Sequence, residues 1–541
     1  MTTPPSGGGA TGSGPADVEA AVLVVGAGPV GLLLAGDLAE RGVDVVVADR
    51  LSAPMTESRA SQLGARTMEV LAQRGLLADF GDELVPEPRG HFAGLSFDAS
   101  AVRSPYPGHW KVPQFRTEAV LARRALAAGA RLLRGYELYE LCDVHTDGAD
   151  DAAADAGVVA RFRTEDGPLT VRAGYVVGCD GAHSTVRSLA GFPVESGPAR
   201  RELLRADLTG IEVPDRRFQL LERGFAASAR RPDGVTRVMV RVDGAPPVRR
   251  QGPPALREIA AAWRTVTGED LTGATPIWRD AFDDSWVQAA AYRRGRVLLA
   301  GDAAHAHMPV GGQSLNLGLQ DAANLGWKLA AQVRGWAPPG LLDSYHDERH
   351  PVGRRVLDNV QAQGMLMFGG AQTAPVRQVL AEVLSDPGPR DRIAAWVTGL
   401  DVRYDVRYHG HDYIRDNIRD DVRGADDIPA LLLGSRVPDL ALTCSNGEGT
   451  TVHALLRDGR GLLLDLAPGP ASTDADADAD GWADRVRTVR ATAGPDDAPF
   501  ASGTSVTSVL VRPDGHVVWT DRTTTPLRTA LTDWFGTADR P

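Results

Sequence analysis

Cysteine is nearly missing from this 541-residue sequence: Cys142, Cys179 and Cys444 stand far apart and form no CxxC pair. That spacing supplies neither a disulfide framework nor a zinc-ligand set, and it suits a reducing cytoplasm. Lysine is scarcer still, with Lys111 and Lys328 as its two occurrences among 58 basic residues, against 70 acidic ones. The net charge of −12 argues against nucleic acid or an anionic membrane as the main partner. No apolar run approaches the ~18 residues of a membrane span. The opening stretch MTTPPSGGGATGSGPADVEA has neither a basic start nor an apolar run, so it reads as a flexible tail and not as a signal peptide. A cytoplasmic chain without a membrane partner is expected.

What is present is an ordinary apolar content over a length that predicts about two to four domains. Order is expected to begin at 21–25, AVLVV, a continuous apolar run typical of a buried parallel strand. A helix, LLLAGDLAERG, and a second strand, VDVVVADR, complete a βαβ unit. Another helix precedes a strand within 111–141, residues 142–157 read as an acidic hairpin tip, and GYVVGCDG at 174–181 reads as a strand. Between 205 and 243 the period changes to two, with a hairpin turning at Pro232-Asp233-Gly234. An antiparallel segment is thus inserted between two pieces of an α/β domain. After 296 the α/β character returns, with a helix through 317–333 and helical patterns to about 400. The segment 467–482 reads as a surface loop, and a second hairpin turns at Pro513-Asp514-Gly515 before a terminal helix.

Three motifs carry chemistry. The first is Gly26-Ala27-Gly28-Pro29-Val30-Gly31. A lone GxGxxG is weak evidence, but this one follows an apolar strand, opens a helix and has an acid, Asp49, 18 residues beyond Gly31. The glycines let the backbone approach a pyrophosphate at the positive helix N-terminus, and Asp49 can accept hydrogen bonds from an adenosine ribose. NAD and FAD both fit at this point. The second motif is GYVVGCDGAHSTVR, carrying Asp180. The third, GDAAHAHMPVGGQSLNLGLQDAANLGWK at 301–328, holds His305, His307 and Asp302 close together. HxH with one acid is short of a full metal-ligand set, which counts against a metal, while a nucleophile with its base and a cofactor cradle stay open at this point. His305 is expected to brace the loop.

In order and spacing the three motifs resemble those of the class A FAD-dependent aromatic hydroxylases, which share the para-hydroxybenzoate hydroxylase fold. The similarity runs from about residue 21 to 400. The SRA segment around Arg59, VPQ at 112–114 and VLVRPDGHVVW near the end resemble the subgroup that tailors aromatic polyketides such as angucyclines and anthracyclines. The resemblance implies an α/β fold with a discontinuous Rossmann-like FAD domain (20–85, 112–190 and 285–400) behind a tail at 1–19. It adds an antiparallel β-sheet substrate domain (86–111 and 191–284) and a thioredoxin-like C-terminal domain (401–541) of structural use.

Residue by residue, it implies that Gly26, Gly28, Pro29, Val30 and Gly31 wrap the FAD pyrophosphate, with Asp49 and Arg50 at the adenosine end. Arg59 and Gln114 contact the flavin nucleotide, and Asp302 its ribityl or pyrophosphate region. Pro309, Gly311, Gly312, Leu315 and Asn316 run along the isoalloxazine ring. Asp180 serves both FAD and the nicotinamide nucleotide. Where the family usually has glycine this chain has Ser314; a left-handed backbone there would cost about a kcal/mol. The implied reaction is hydroxylation of a polycyclic aromatic polyketide with O₂ through a flavin C4a-hydroperoxide. FAD is held non-covalently, and NADPH or NADH binds transiently as reductant. Alternatives are a Baeyer–Villiger oxygenase or epoxidase on the same scaffold and, behind these, a non-oxygenase flavoprotein. Monomer and homodimer are both compatible. Trp278, Phe282, Trp286 and Met239 are candidate pocket-lining residues, though each is more often plain core. No thiol redox role is expected of Cys444.

Overall fold

The computed structural model describes residues 17–56, 60–142, 144, 157–231, 233–406, 433–467, 479–494 and 506–539. The tail before residue 17, Arg59 and most of the segments 142–157 and 467–482 lie outside these residues.

The apolar run at the start becomes the strand Val18–Val25, in which Val22, Leu23 and Val24 are wholly buried. It sits mid-sheet because both of its faces are apolar. Parallel strands follow the order Val297–Leu299, Gly167–Gly178, Val18–Val25, Val45–Asp49, Arg131–Arg134. Glu137–Cys142 and Val158–Thr164 extend this sheet antiparallel. The helix Pro29–Glu40 lies against the long helix Gln313–Val333, which begins four residues ahead of the expected 317. The helices Ser344–Phe368, Ala374–Ser385 and Pro387–Thr398 account for the helical pattern up to 400.

The alternating segment forms a five-stranded antiparallel sheet from Glu202–Thr209, Arg216–Leu221, Gly224–Arg230, Thr236–Val242 and Thr275–Asp283. Its hairpin closes through Arg231 N–H on Val235 O at 2.8 Å. The helix Leu256–Thr267 buries Ile259, Trp263 and Val266 against Leu204, Ala206, Val238 and Val240. Two small sheets stitch the parts together. One pairs Val194–Gly197, Trp286–Ala289 and His305–Ala306. The other pairs His109–Lys111 with Gln62–Gly64 and Val85–Glu87.

The C-terminal part is a six-stranded sheet whose core takes in Trp327 and Ala331 of the long helix and Leu341 beyond it. Gly461–Asp465 and Val486–Ala493 run parallel at its centre, and its other pairs are antiparallel. Ser508–Val511 and Val517–Thr520 form the second expected hairpin, and the helix Leu527–Phe535 follows. Cys444 is half-buried and unbridged. Among the described residues no helix is long and apolar enough to cross a membrane.

Candidate functional site

The glycine-bearing turns converge at the C-terminal ends of the parallel strands, where Val18–Val25 runs into Gly26. The φ of Gly26 is +108°, and a Cβ there would stand 2.4 Å from Cys179 O. Gly31 is held as closely, since its Cβ would meet Gly26 O at 2.0 Å. Gly28 is the contrast: a Cβ there meets no protein atom within 4 Å. It is the N-cap of Pro29–Glu40 and supplies no side-chain cap; Pro29 has no N–H, so Val30 and Gly31 carry the first donors of that helix. Orphan donors at the positive end of a helix dipole form a cradle for an anionic group, which fits the pyrophosphate of a dinucleotide.

Asp49 closes this turn from the next strand. Its Oδ2 accepts Ala27 N–H at 2.7 Å and its Oδ1 accepts Leu51 N–H at 2.8 Å. Each oxygen keeps a further lone pair for a ligand hydroxyl. Arg50 beside it is exposed. Gln114 starts the helix Gln114–Ala127, accepts Ala60 N–H at 3.1 Å and donates to Glu118 at 2.8 Å, while Arg59 lies outside the described residues. Asp180 accepts Thr185 N–H at 2.7 Å, Val186 N–H at 3.0 Å and the Ser184 hydroxyl at 2.5 Å. It therefore satisfies the start of the short helix Thr185–Leu189, and burial pushes its carboxyl up. From that helix Arg187 reaches Ala303 O at 2.9 Å, tying the second motif to the third.

The third motif packs directly on the first. Gly301 has φ +64°, and a Cβ on it would lie 3.0 Å from Val30 Cγ2. Asp302 accepts a hydrogen bond from the Ser314 hydroxyl. Pro309 is exposed, Leu315 is half-buried, and Gly311 and Gly312 are left-handed at φ +74° and +66°. Gly312 is the N-cap of Gln313–Val333. Asn316 accepts Gly64 N–H at 2.7 Å and donates to Gly312 O at 2.7 Å, clamping the helix start to the strand Gln62–Gly64. The backbone strain considered for Ser314 does not arise. The helix begins at Gln313, the left-handed positions fall on the two glycines before it, and Ser314 sits in the first helical turn.

His305 donates from Nε2 to Asp321 Oδ2 at 2.6 Å, with both side chains fully buried. Asp321 also accepts Gly301 N–H at 3.1 Å and Arg349 Nε at 2.7 Å. Burial works to raise the Asp321 carboxyl, but His305 and Arg349 outweigh it and hold it below the usual range. His307 is 2.9 Å from Met308 O through Nδ1, and burial lowers the pKa of its ring. Among the described residues no group of three His, Cys, Asp or Glu side chains is placed to hold a metal. Burial likewise pushes the Cys179 thiol well up, away from thiolate chemistry. Sequence reasoning missed Asp321 and Arg349. The signal was an acid in the middle of the apolar helix LNLGLQDAANLGWKLA.

Between this loop and the five-stranded sheet lies an apolar cluster. Met308 and Val310 meet Leu203, Phe225 and Ala227 from the sheet and Phe368 from the helix Ser344–Phe368. Met239 and Phe282 pack against it, half-buried. Trp278 and Trp286 are spent otherwise, the first 4.6 Å beneath the Arg205 guanidinium and the second 5.4 Å beneath that of Arg354.

Two family models match the chain, the FAD binding domain over residues 19–360 and the aromatic-ring hydroxylase C-terminal domain over 430–538. Rifampicin monooxygenase of Streptomyces venezuelae is 38% identical, over 96% of this chain and 99% of its own. The 12-dehydrotetracycline 5-monooxygenase/anhydrotetracycline 6-monooxygenase of Streptomyces rimosus is 37% identical, over 95% and 98%. Among solved structures, CabE, an aromatic hydroxylase from angucycline biosynthesis, superposes with a TM-score of 0.86 at 44% identity, covering 96% of this chain and 99% of that one. With fold, cradle and both family models in agreement, this chain belongs to the FAD-binding aromatic-ring hydroxylases and is a flavin-dependent aromatic monooxygenase.

Proposed function

We propose that the chain hydroxylates a polycyclic aromatic polyketide, using non-covalently held FAD that NADPH or NADH reduces from a transient site. The observation that carries this reading is the apolar cluster that joins the Met308–Val310 loop to the antiparallel sheet. A flat apolar ring system seated against this cluster would lie beside the same loop that would border the flavin. The two relatives named above are called monooxygenases of rifampicin and of 12-dehydrotetracycline and anhydrotetracycline, which agrees with a large polyketide.

Bound FAD supplies the electron and oxygen-transfer chemistry. The chain supplies the setting. The N–H groups after Gly28 would hold the pyrophosphate, with Asp49 and Arg50 at the adenosine end. Asp302 and the hydroxyl of Ser314 would meet the ribityl region, and the backbone at Gly311, Gly312 and Leu315 would border the ring. Arg59 and Gln114 would contact the nucleotide, and Asp180 would act by setting the turn beside it. Met308, Val310, Leu203 and Phe225 would exclude water from the reacting carbon. The sheet 191–284 is the substrate domain in this reading. The central parallel pair and flanking antiparallel strands of the last domain support a thioredoxin-like fold without thiol function, and a cytoplasmic setting agrees with the free cysteines.

The reaction is tested by turnover with ¹⁸O₂ and NADPH on a panel of polyphenolic polycyclic compounds. One labelled oxygen is expected, on a new phenolic or quinol carbon in the NMR spectrum with the carbocycle intact. Because a Baeyer–Villiger insertion adds the same mass, a lactone carbonyl in the product would overturn hydroxylation in favour of that insertion. Asp302→Ala should lower FAD occupancy several-fold with the far-UV spectrum of the fold retained. Full occupancy and an unaltered flavin spectrum would remove Asp302 from the site. Dialysis against a chelator should leave turnover unchanged once FAD is replenished. A loss restored by zinc or iron, and not by FAD, would count against the cradle.

A further inference from the structure

A buried chain of charges runs from the C-terminal hairpin to the Gly301 turn, and nothing in the proposed reaction uses it. Arg512, 1% exposed, lies on the hairpin side facing the helix Ser344–Phe368. Its two terminal nitrogens donate to Glu348 at 2.5 and 2.9 Å, and its guanidinium also pairs with Asp514. Lys328 and Asn324, both from the long helix, converge on the same Glu348 at 2.8 and 2.6 Å. The next residue along, Arg349, is fully buried and donates to Asp321 at 2.7 Å, to the Tyr404 hydroxyl at 3.1 Å and to Leu317 O at 3.1 Å. The Tyr404 ring lies 5.3 Å beneath the Arg512 guanidinium. Asp321 in turn holds Gly301 N–H and His305. Arg512 is thus linked to Arg349 twice, once through the Glu348–Arg349 peptide and once through Tyr404.

Each link is worth most where no water can substitute for a lost partner, and every member here is buried. A guanidinium with both its neighbours fixed leaves Arg349 one geometry, and that geometry sets where the Asp321 carboxylate presents itself to Gly301. The turn it holds is the one that packs on Val30 of the fingerprint helix and carries Asp302.

We infer that Arg512 is a positioning residue for the flavin site: from the C-terminal domain, through Glu348, Tyr404, Arg349 and Asp321, it holds the Gly301–Asp302 turn in its binding geometry. The assignment rests on the reading of that turn as a flavin contact. It gives the last domain a task beyond its own stability.

The test compares Arg512→Met and Tyr404→Phe with a control, Arg485→Met. Arg485 is a buried guanidinium in the same domain, but it donates to the carbonyls of residues 481, 535 and 537 and pairs with Asp484 and Asp539, and among the described residues none of these partners lies on the Ser344–Phe368 helix. Tyr404→Phe removes one hydroxyl and keeps every ion pair, so it remains informative if Arg512→Met fails to fold. Hydrogen exchange of a peptide spanning Gly301 is followed in the apoprotein, and FAD affinity by titration of flavin fluorescence. Both network variants should speed exchange at Gly301 and weaken FAD binding about tenfold, whereas Arg485→Met should lower the melting temperature without either change. Unaltered exchange at Gly301 in both network variants overturns the positioning role. Faster exchange with undiminished FAD affinity overturns the assignment of the turn to flavin and, with it, this part of the proposed site.

Discussion

Gly26→Ala is expected to destroy the dinucleotide site and destabilise the fold, whereas Gly28→Ala two residues on should spare the fold and lose the cofactor. At Gly26 an added methyl would meet the backbone of Cys179 and Asp180 at 2.4 to 2.9 Å, with φ at +108°. Neither contact is the end of a flexible side chain that could swing away. Backbone strain and overpacking add, which places the cost at roughly 3 kcal/mol or more. At Gly28 the backbone is extended, φ −75°, and the methyl meets nothing within 4 Å. Alanine there costs the fold almost nothing, but its methyl projects into the space the pyrophosphate would use. Urea unfolding of both apoproteins, with FAD titrations beside it, separates the two effects. If Gly28→Ala binds FAD as the parent does, the pyrophosphate is not held at this helix.

Glu348→Gln should produce the second large effect. Its carboxylate is the shared partner of Arg512 and Lys328, and removing the charge leaves buried Lys328 facing a neutral amide and Arg512 with the Asp514 carboxylate alone. Breaking one side of such a buried set costs about 3–5 kcal/mol. The same site makes the protein acid-labile. Burial would raise the Glu348 carboxyl, but Arg512 and Lys328 hold it down to about 2. The folded chain therefore binds fewer protons here than the unfolded one between about pH 4.5 and 2, and stability falls as pH drops through that window. His516, on the same hairpin, acts in the same direction at higher pH. Burial lowers its ring to about 4, so it is neutral in the folded chain and charged in the unfolded one between about pH 6.5 and 4. Across each window the stability changes by on the order of 3 kcal/mol, as a gain above it from the Glu348 carboxylate and as a cost below it from charging His516. Urea midpoints measured from pH 7 to pH 3 should fall in two steps, and Glu348→Gln should shrink the lower one, which Glu348 shares with Glu87, Asp37 and Asp514. A flat profile down to pH 3 would show that these groups are not buried as described.

The sequence by itself determined much of what depends on neighbours a few residues apart. The apolar run before Gly26, the helix after it and the acid at 49 mark a dinucleotide turn because a βαβ unit is nearly a local object. The two Pro-Asp-Gly hairpins are legible for the same reason, since a period of two and a turn residue suffice to pair adjacent strands. The roles of the loop histidines were partly legible too: His305 sits in a short strand and braces the turn, as its place after an apolar strand suggested. Tertiary structure decided the rest. Ser314 is unstrained because the helix starts at Gln313, a boundary set by where Asn316 finds Gly64, 252 residues away. Asp321 reads in sequence as an acid misplaced on an apolar helix, and it becomes a brace because folding brings His305 and Arg349 to it from either side. Arg512 meets Glu348 across 164 residues of chain. No periodicity or turn chemistry encodes such a pair. Each partner is an ordinary surface-type residue until packing removes the water around both, and at that point the only stable arrangement left to either charge is the other.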